Sequence, residues 1–180
     1  QAAKDLYNRR FRGASAEESE VAASDVFEEQ RQRIAAVLDL PEGSEVILCP
    51  SGSDAEYIPV AIAKTLRPDA EITNGSTQFK ETGAGSSPAS LGQYFSSHAP
   101  LIGEVKGREH LTGFQAVGGE AFLARHDDGS VVDAKAKMDE FYQKALDNGQ
   151  YPIVHAVFGG KTGLRDTVVP RTLEVGDKAL

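Results

Sequence analysis

Hydrophobic residues along this chain switch between helical spacing and short continuous runs. Ser15 and Glu18 have the spacing of a capping box, which predicts a helix that runs from there to about Leu40. Residues 45–49 form an apolar run of strand length, and residues 55–66 carry apolar side chains at helical spacing. Helix and strand are therefore expected to alternate from the first third of the chain onward.

The same alternation continues further along the chain. In order, it predicts a weak strand over residues 70–74, a helix over residues 88–97, a strand over residues 121–125, a helix from Asp133 to Asn148, and a strand over residues 151–158. The last run is almost continuously apolar, which is typical of a buried parallel strand. We expect an α/β fold of three layers, α/β/α, with a mainly parallel sheet. Residues 1–14 are polar and rich in arginine and are expected to form an arm, with the domain over residues 15–180.

Composition narrows the class of protein without choosing a function. Of 180 residues, 40% are hydrophobic and 26% are charged, and the formal net charge is −8. This acidic balance speaks against a nucleic-acid surface, and no apolar run approaches the length of a membrane span. The single cysteine leaves no internal disulfide, and the four histidines have no metal-ligand spacing. We therefore expect a cytoplasmic protein with neither a nucleic-acid nor a membrane partner.

Three loops rich in glycine and hydroxyl groups follow predicted strands, at residues 51–53, 81–87 and 159–163. Ligands of parallel α/β sheets bind at the carboxyl ends of the strands. Free backbone N–H groups at a helix N-terminus are also well matched to a phosphate. The sequence leaves open whether Ser53 caps the following helix or belongs to such a ligand site.

The third loop also suggests a nucleotide. Gly160-Lys161-Thr162 is the end of the pattern G-x-x-x-x-G-K-[ST], which binds nucleoside triphosphates. However, His155 stands where that pattern requires its first glycine, and residues 165–170 have an extended rather than a helical pattern. A nucleoside triphosphatase is therefore the weaker interpretation.

Other reactive side chains are expected to have structural roles. His155 lies in an apolar strand, where a hydrogen-bonded core histidine is commoner than a catalytic base. Cys49 has no evident activating partner and is expected to be an inert, small apolar side chain. Asp127 and Asp128 have the composition of a turn rather than a metal site.

The order of these features resembles the start of the large domain in fold-type I pyridoxal-phosphate-dependent enzymes, which include aminotransferases and cysteine desulfurases. The segments that carry the resemblance are Pro50-Ser51-Gly52-Ser53-Asp54-Ala55, Glu81-Thr82-Gly83, and residues 155–163 with Pro170 downstream. It spans residues 15–180, and its most specific part is the stretch from Ser51 to Asp54.

This resemblance implies pyridoxal 5'-phosphate as the cofactor and a set of cofactor-binding residues. Ser51, Gly52 and Ser53 match the turn that holds the cofactor phosphate. Thr82 lies near the position where many members place a histidine or an aromatic residue over the pyridine ring, and a threonine cannot stack there. Lys161 falls where an asparagine often contacts the ring hydroxyl. It either replaces that contact by its charge or is a solvated loop lysine.

The resemblance also implies groups that have no matching position in this sequence. These are the aspartate that pairs with the pyridine nitrogen and the lysine that forms the Schiff base, so no catalytic residue is assigned. We expect the N-terminal, phosphate-binding half of a transferase or lyase that acts on a small amino-acid substrate. The missing C-terminal half or a second chain would complete it, and a homodimer is expected. The chain alone is expected not to be catalytic. The alternative is a non-catalytic α/β domain that binds a phosphate-bearing ligand or a protein partner.

Overall fold

The computed structural model describes residues 1–76, 81–99, 102–123 and 125–155. The helices are α1 (Ala2–Arg10), α2 (Ala16–Val37), α3 (Gly52–Ala55), α4 (Tyr57–Leu66), α5 (Ser86–Ser90) and α6 (Ala134–Asp147). The strands are β1 (Ile72–Ser76), β2 (His98–Ala99), β3 (Gly103–Glu104), β4 (Val117–Ala121) and β5 (Tyr151–His155). The chain divides into two compact units, with the boundary between Cys49 and Pro50.

The first unit contains the predicted long helix, and its capping box is confirmed. The amide of Glu18 donates to the Ser15 hydroxyl at 3.2 Å, and the amide of Ser15 donates to the Glu18 carboxylate at 2.8 Å. These two bonds satisfy backbone groups that a helix start leaves unpaired. Helix α2 ends at Val37 rather than at Leu40, and Asp39 then takes a positive φ of 49°.

The expected arm, residues 1–14, contains a helix, and one predicted strand of the first unit is missing. The helix is α1, and the guanidinium of Arg10 at its end pairs with the Glu29 carboxylate of α2 at 2.7 Å. The predicted strand over residues 45–49 is absent, and Ile47 is 60% exposed. A β-strand persists where a neighbouring strand pairs with its backbone, and no strand in the described ranges pairs with this segment.

The second unit is built on a three-stranded parallel sheet with the order β4-β1-β5. Ile72, at the start of β1, lies opposite Val117 on one side and Tyr151 on the other. At the carboxyl end of the sheet, Ser76 of β1 lies opposite His155 of β5. The expectation of an α/β fold with a parallel sheet is thereby confirmed.

Helices pack against both faces of this sheet. One core cluster joins the sheet residues Ile72, Val117, Tyr151 and Ile153 to Val60 and Ala63 of α4. A second cluster contains Met138, Phe141 and Tyr142 of α6 with Val154 of β5. Successive strand residues point to opposite faces, so Asn74, two positions after Ile72, faces the α4 side. Gly75 faces the α6 side, where a Cβ would lie 2.9 Å from the Phe141 ring.

Several predicted elements are present with shifted ends. Strand β1 lies two residues beyond the predicted 70–74, and β5 matches the predicted start at Tyr151, while residues 156–158 lie outside the described residues. Strand β4 ends at Ala121, which is where the predicted strand began. The prediction was displaced because the two glycines of β4 hide its strand pattern. Helix α5 is shorter than the predicted 88–97, since Gly92 takes a left-handed φ of 67° and ends it.

The last helix follows its prediction closely. The Asp133 carboxylate accepts a hydrogen bond from the Ala136 amide at 3.0 Å and so caps the start of α6. The helix ends just before Gly149, whose φ is 69°. Among the described helices, none has both the length and the apolar character needed to cross a lipid bilayer.

Candidate functional site

Two of the three predicted ligand loops lie against each other in the second unit. The turn at residues 51–53 starts α3, loop 81–87 leads into α5, and these two helices are in contact. A Cβ on Gly85 would lie 2.5 Å from the Ser53 hydroxyl oxygen and 3.2 Å from the Phe95 ring. A side chain at residue 85 would therefore force Ser53 to move, and the absence of one leaves room for this close approach. We call the Ser51–Ser53 turn with Gly85 the cradle.

Ser51, and not Ser53, caps the helix that follows. Its hydroxyl accepts a hydrogen bond from the Asp54 amide at 3.2 Å and donates one to the Asp54 carboxylate at 2.6 Å. The choice between cap and ligand site that the sequence left open for Ser53 is thus resolved against the cap. The Ser53 hydroxyl faces Gly85 instead.

The reciprocal bonds of Ser51 limit what the turn can offer an anion. A phosphate that used the Ser51 hydroxyl would have to displace the Asp54 carboxylate, and like charges repel at this range. The amides of Gly52 and Ser53 lie in the first turn, where backbone N–H groups have no partner within the helix. These two amides and the Ser53 hydroxyl are therefore the donors best placed to bind an anion.

An aromatic wall borders the cradle. The rings of Tyr57 and Phe95 stack with centroids 6.1 Å apart and an interplanar angle of 28°. The Tyr57 hydroxyl donates to the backbone carbonyl of Gln93 at 2.8 Å, and burial raises the pKa of the Tyr57 phenol above its usual range. Because Phe95 also approaches Gly85, this aromatic pair lies beside the cradle.

A chain of three polar side chains links the α3–α4 turn to the sheet. The carboxylate of Glu56 contacts Nδ1 of His155, and Nε2 of His155 lies 2.7 Å from Oδ1 of Asn74. The side chain of His155 is 12% exposed, and Asn74 is 1% exposed. The sequence-based expectation of a hydrogen-bonded histidine is confirmed.

One atom of this chain is not paired. The amide nitrogen Nδ2 of Asn74 has no hydrogen-bond partner in the part of the chain that the structure describes. Turning the amide over would exchange its oxygen and nitrogen and would leave the other atom unpaired. A buried polar group without a partner costs about 1–3 kcal/mol, so this atom is well suited to pair with a bound molecule.

The structure describes four of the five predicted cofactor-binding residues. Ser51 and Gly52 are exposed, Ser53 is half-buried in the cradle, and Thr82 is half-buried at the start of the second loop. Lys161 lies outside the described residues, as does the whole third loop. Of these residues, the structure brings Ser53 close to Gly85 of the second loop.

Reasoning from sequence missed Asn74, Glu56 and the aromatic pair. Asn74 carried a usable signal, because an amide side chain within a short buried strand needs a partner. The aromatic pair joins residues 57 and 95 from different elements, and no local pattern in the sequence connects them.

A separate cavity of about 310 Å³ lies beside β4 and α6. Its lining includes Phe122, Phe141, Lys137 and Lys144. Lys137 pairs with Glu140, and Lys144 pairs with Glu120, each at 3.5 Å, so the charges of both lysines are partly balanced. Of the described residues, those that line this cavity include no buried side-chain atom that lacks a hydrogen-bond partner.

The turn predicted at Asp127 and Asp128 is present. The amide and the hydroxyl of Ser130 donate to the Asp128 carboxylate at 2.9 and 2.6 Å, and these bonds lower the pKa of Asp128. Cys49 is a half-buried free thiol. Within the described ranges, no group of histidine, cysteine, aspartate or glutamate side chains is arranged to hold a metal ion.

Comparison with known proteins gives no relative, since no family model, no curated protein and no solved structure matches this chain. The interpretation of the site therefore rests on its own geometry.

Proposed function

We propose that this chain is the phosphate-binding N-terminal half of a cytoplasmic pyridoxal-phosphate-dependent transferase or lyase that acts on an amino acid. The observation that carries the proposal is the approach of Ser53 to Gly85. It joins a helix start to a glycine-rich loop in a parallel α/β unit, which is the setting in which phosphate groups are bound.

The residues present fit the cofactor in two respects. The amides of Gly52 and Ser53, with the Ser53 hydroxyl, would hold the phosphate. The ring would lie beside Phe95 and near Thr82, where the Phe95 side chain offers an apolar contact. When bound, pyridoxal phosphate supplies an electron sink for negative charge that develops on the substrate.

The roles of the chain's own residues are to bind and to orient. Within the described residues we assign no catalytic group. We propose that the C-terminal half of the enzyme or a second chain supplies the remaining contacts, in a homodimer. Lys161 is proposed as a further cofactor contact from the third loop.

One observation favours a second candidate function. The Asp54 carboxylate holds the Ser51 hydroxyl at 2.6 Å, which weakens the cradle for a doubly charged phosphate. A non-catalytic α/β domain that binds a singly charged phosphate ester, or a protein partner, would tolerate this arrangement better. The two candidates differ in how strongly the cradle selects pyridoxal phosphate over other phosphates.

The test is a calorimetric titration of the full chain with pyridoxal 5'-phosphate, pyridoxal and inorganic phosphate. We expect pyridoxal 5'-phosphate to bind about tenfold or more tightly than pyridoxal, because a charge-assisted bond to the phosphate is worth about 1.5–3 kcal/mol. We also expect it to bind more tightly than inorganic phosphate, because the aromatic wall contacts only a ring. Equal affinity for pyridoxal and its phosphate would contradict the cradle, and equal affinity for the two phosphates would favour the second candidate.

Asp54→Asn provides the matched variant for that titration. It removes the charge that competes for Ser51, so the affinity for pyridoxal 5'-phosphate should rise several-fold. Asp69→Asn makes the same change of charge on an exposed residue beyond the other end of α4, and it should leave the affinity unchanged. If both variants raise the affinity equally, the effect comes from net charge and not from the turn.

A further inference from the structure

We propose that Asn74 is a ligand-contact residue whose unpaired amide group bonds a polar atom of the bound cofactor, and that His155 and Glu56 are positioning residues that hold this amide. The inference rests on the proposed function, and it adds to the cradle a second point of contact for the non-phosphate end of the ligand. Nothing in the sequence patterns pointed to these three residues as a unit.

The position of Asn74 places its amide on the side of the sheet where the cradle lies. Ile72 packs against α4, and Asn74 follows two positions later on the same face of β1. Through His155, this amide is connected to Glu56, which directly follows α3. Ser53 of the cradle and Glu56 are thus within one helical turn of each other, at the carboxyl side of the sheet.

The neighbouring strands offer the amide no side-chain partner at its own level. The register partner on β4 is Gly119, and a Cβ there would collide with Leu91 and with the backbone oxygen of Asn74 at 2.7 Å. The register partner on β5 is Ile153, which is apolar. Among the described residues the amide nitrogen therefore has no acceptor, and a bound ligand would supply one.

The contacts of His155 hold the amide group in place. One ring nitrogen faces the Glu56 carboxylate and the other faces the side-chain amide of Asn74. A side chain held in this way loses little freedom when a ligand binds, which is the benefit of a preorganised contact.

The first experiment uses the unaltered chain. It contains three asparagines, Asn8, Asn74 and Asn148, so selective ¹⁵N-asparagine labelling gives three side-chain amide pairs in an NMR spectrum. We expect addition of pyridoxal 5'-phosphate to shift the Asn74 pair and to leave those of Asn8 and Asn148 in place. An unmoved Asn74 signal at saturating ligand would overturn the inference, whether or not the cradle binds.

The second experiment changes the one atom in question. Asn74→Asp keeps an oxygen toward His155 and replaces the amide nitrogen by an oxygen. We expect the affinity for pyridoxal 5'-phosphate to fall about tenfold or more, and the urea midpoint of the unliganded protein to fall as well, because a buried carboxylate is costly without a full set of donors. Asn148→Asp, the same change on an exposed residue, should leave the affinity unchanged.

The role of Glu56 is tested by coupling. If Glu56 acts through Asn74, then Glu56→Gln lowers the affinity by a smaller factor and adds no further loss to Asn74→Asp. Independent losses that multiply would contradict the positioning role. The absence of any binding to the unaltered chain would overturn both the proposed function and this inference. Normal binding with an unaffected Asn74→Asp variant would overturn this inference alone.

Discussion

Nε2 of His155 lies 2.7 Å from Oδ1 of Asn74, and this contact joins the carboxyl end of β5 to the middle of the central strand. The other ring nitrogen contacts Glu56, so the same imidazole also ties the sheet to the α3–α4 turn. The side chains of His155 and Glu56 are 12% and 25% exposed. The contact therefore contributes to the stability of the second unit, and it sets the geometry of the candidate site.

We expect Glu56→Gln to lower the free energy of unfolding by about 1–3 kcal/mol, because hydrogen bonds to charged groups are worth that much when one partner is buried. The matched control is Glu140→Gln, which removes an exposed contact with Lys137 and should cost about 0–1 kcal/mol. Urea unfolding of both variants provides the measurement. Equal losses in the two variants would show that Glu56 behaves as a surface carboxylate.

Gly85→Ala should disrupt the cradle. Its new methyl group would meet the Ser53 hydroxyl at 2.5 Å, so Ser53 must move, and we expect the affinity for pyridoxal 5'-phosphate to fall about tenfold. Gly83→Ala lies in the same loop and meets only the Ser86 hydroxyl at 3.7 Å, an ordinary contact, so it should bind as the unaltered chain does. Calorimetry compares the two, and parallel losses would indicate a general effect on the loop.

Strand β4 carries two adjacent glycines with opposite expectations. Gly119→Ala places a methyl group against Leu91 and 2.7 Å from the Asn74 carbonyl oxygen, so we expect a loss of about 1–3 kcal/mol from overpacking. Gly118→Ala meets no atom within 4 Å and should be neutral or stabilising by about 0.4–1 kcal/mol. Thermal unfolding of the pair tests the packing of β4 on β1. A stable Gly119→Ala variant would contradict the observed register.

The start of α2 should depend on pH. Hydrogen bonds from the amide and the hydroxyl of Ser15 lower the pKa of Glu18 below its usual range. Because the folded-state pKa lies below the unfolded value, the carboxylate stabilises the helix start above the unfolded value, and this contribution is lost as the pH falls through the folded pKa. A ¹³C NMR titration of the Glu18 carboxyl should give a lowered midpoint, and Ser15→Ala should raise it part of the way. A midpoint in the usual range would contradict the capping box in solution.

Ser15→Ala also tests the cap energetically. Loss of the capping hydroxyl should cost about 1 kcal/mol of stability. Ser24→Ala, on an exposed position inside the same helix, should be neutral or slightly stabilising, because alanine has the higher helix propensity.

How far the sequence predicted the structure depended on whether the signal was local. The capping serine and glutamate of α2 and the Asp133 cap of α6 satisfy their own helix starts, so their spacing alone was sufficient. Strand β4 was misplaced because Gly118 and Gly119 carry no strand propensity. Gly119 fits there because its backbone approaches Asn74 of β1 closely, which is a tertiary effect.

The same contrast between local and long-range signals applies to the candidate site. The turn at residues 51–53 was identifiable because small residues open a helix, but which serine caps it depended on the carboxylate of Asp54. The polar chain from Glu56 through His155 to Asn74 joins residues up to 99 positions apart, and only the folded sheet brings them together. Such contacts have no periodic signature in a single sequence.

The most direct test of the cradle is a ¹H–¹⁵N NMR map of the full chain during titration with pyridoxal 5'-phosphate. We expect the largest shifts at the amides of Gly52, Ser53 and Gly85, since the donors of the helix start and the facing loop contact the phosphate. Pyridoxal without the phosphate should not reproduce them. Shifts confined to the Lys137 and Lys144 cavity, or no shifts at saturating ligand, would contradict the assignment of the Ser51–Ser53 turn as a phosphate-binding site.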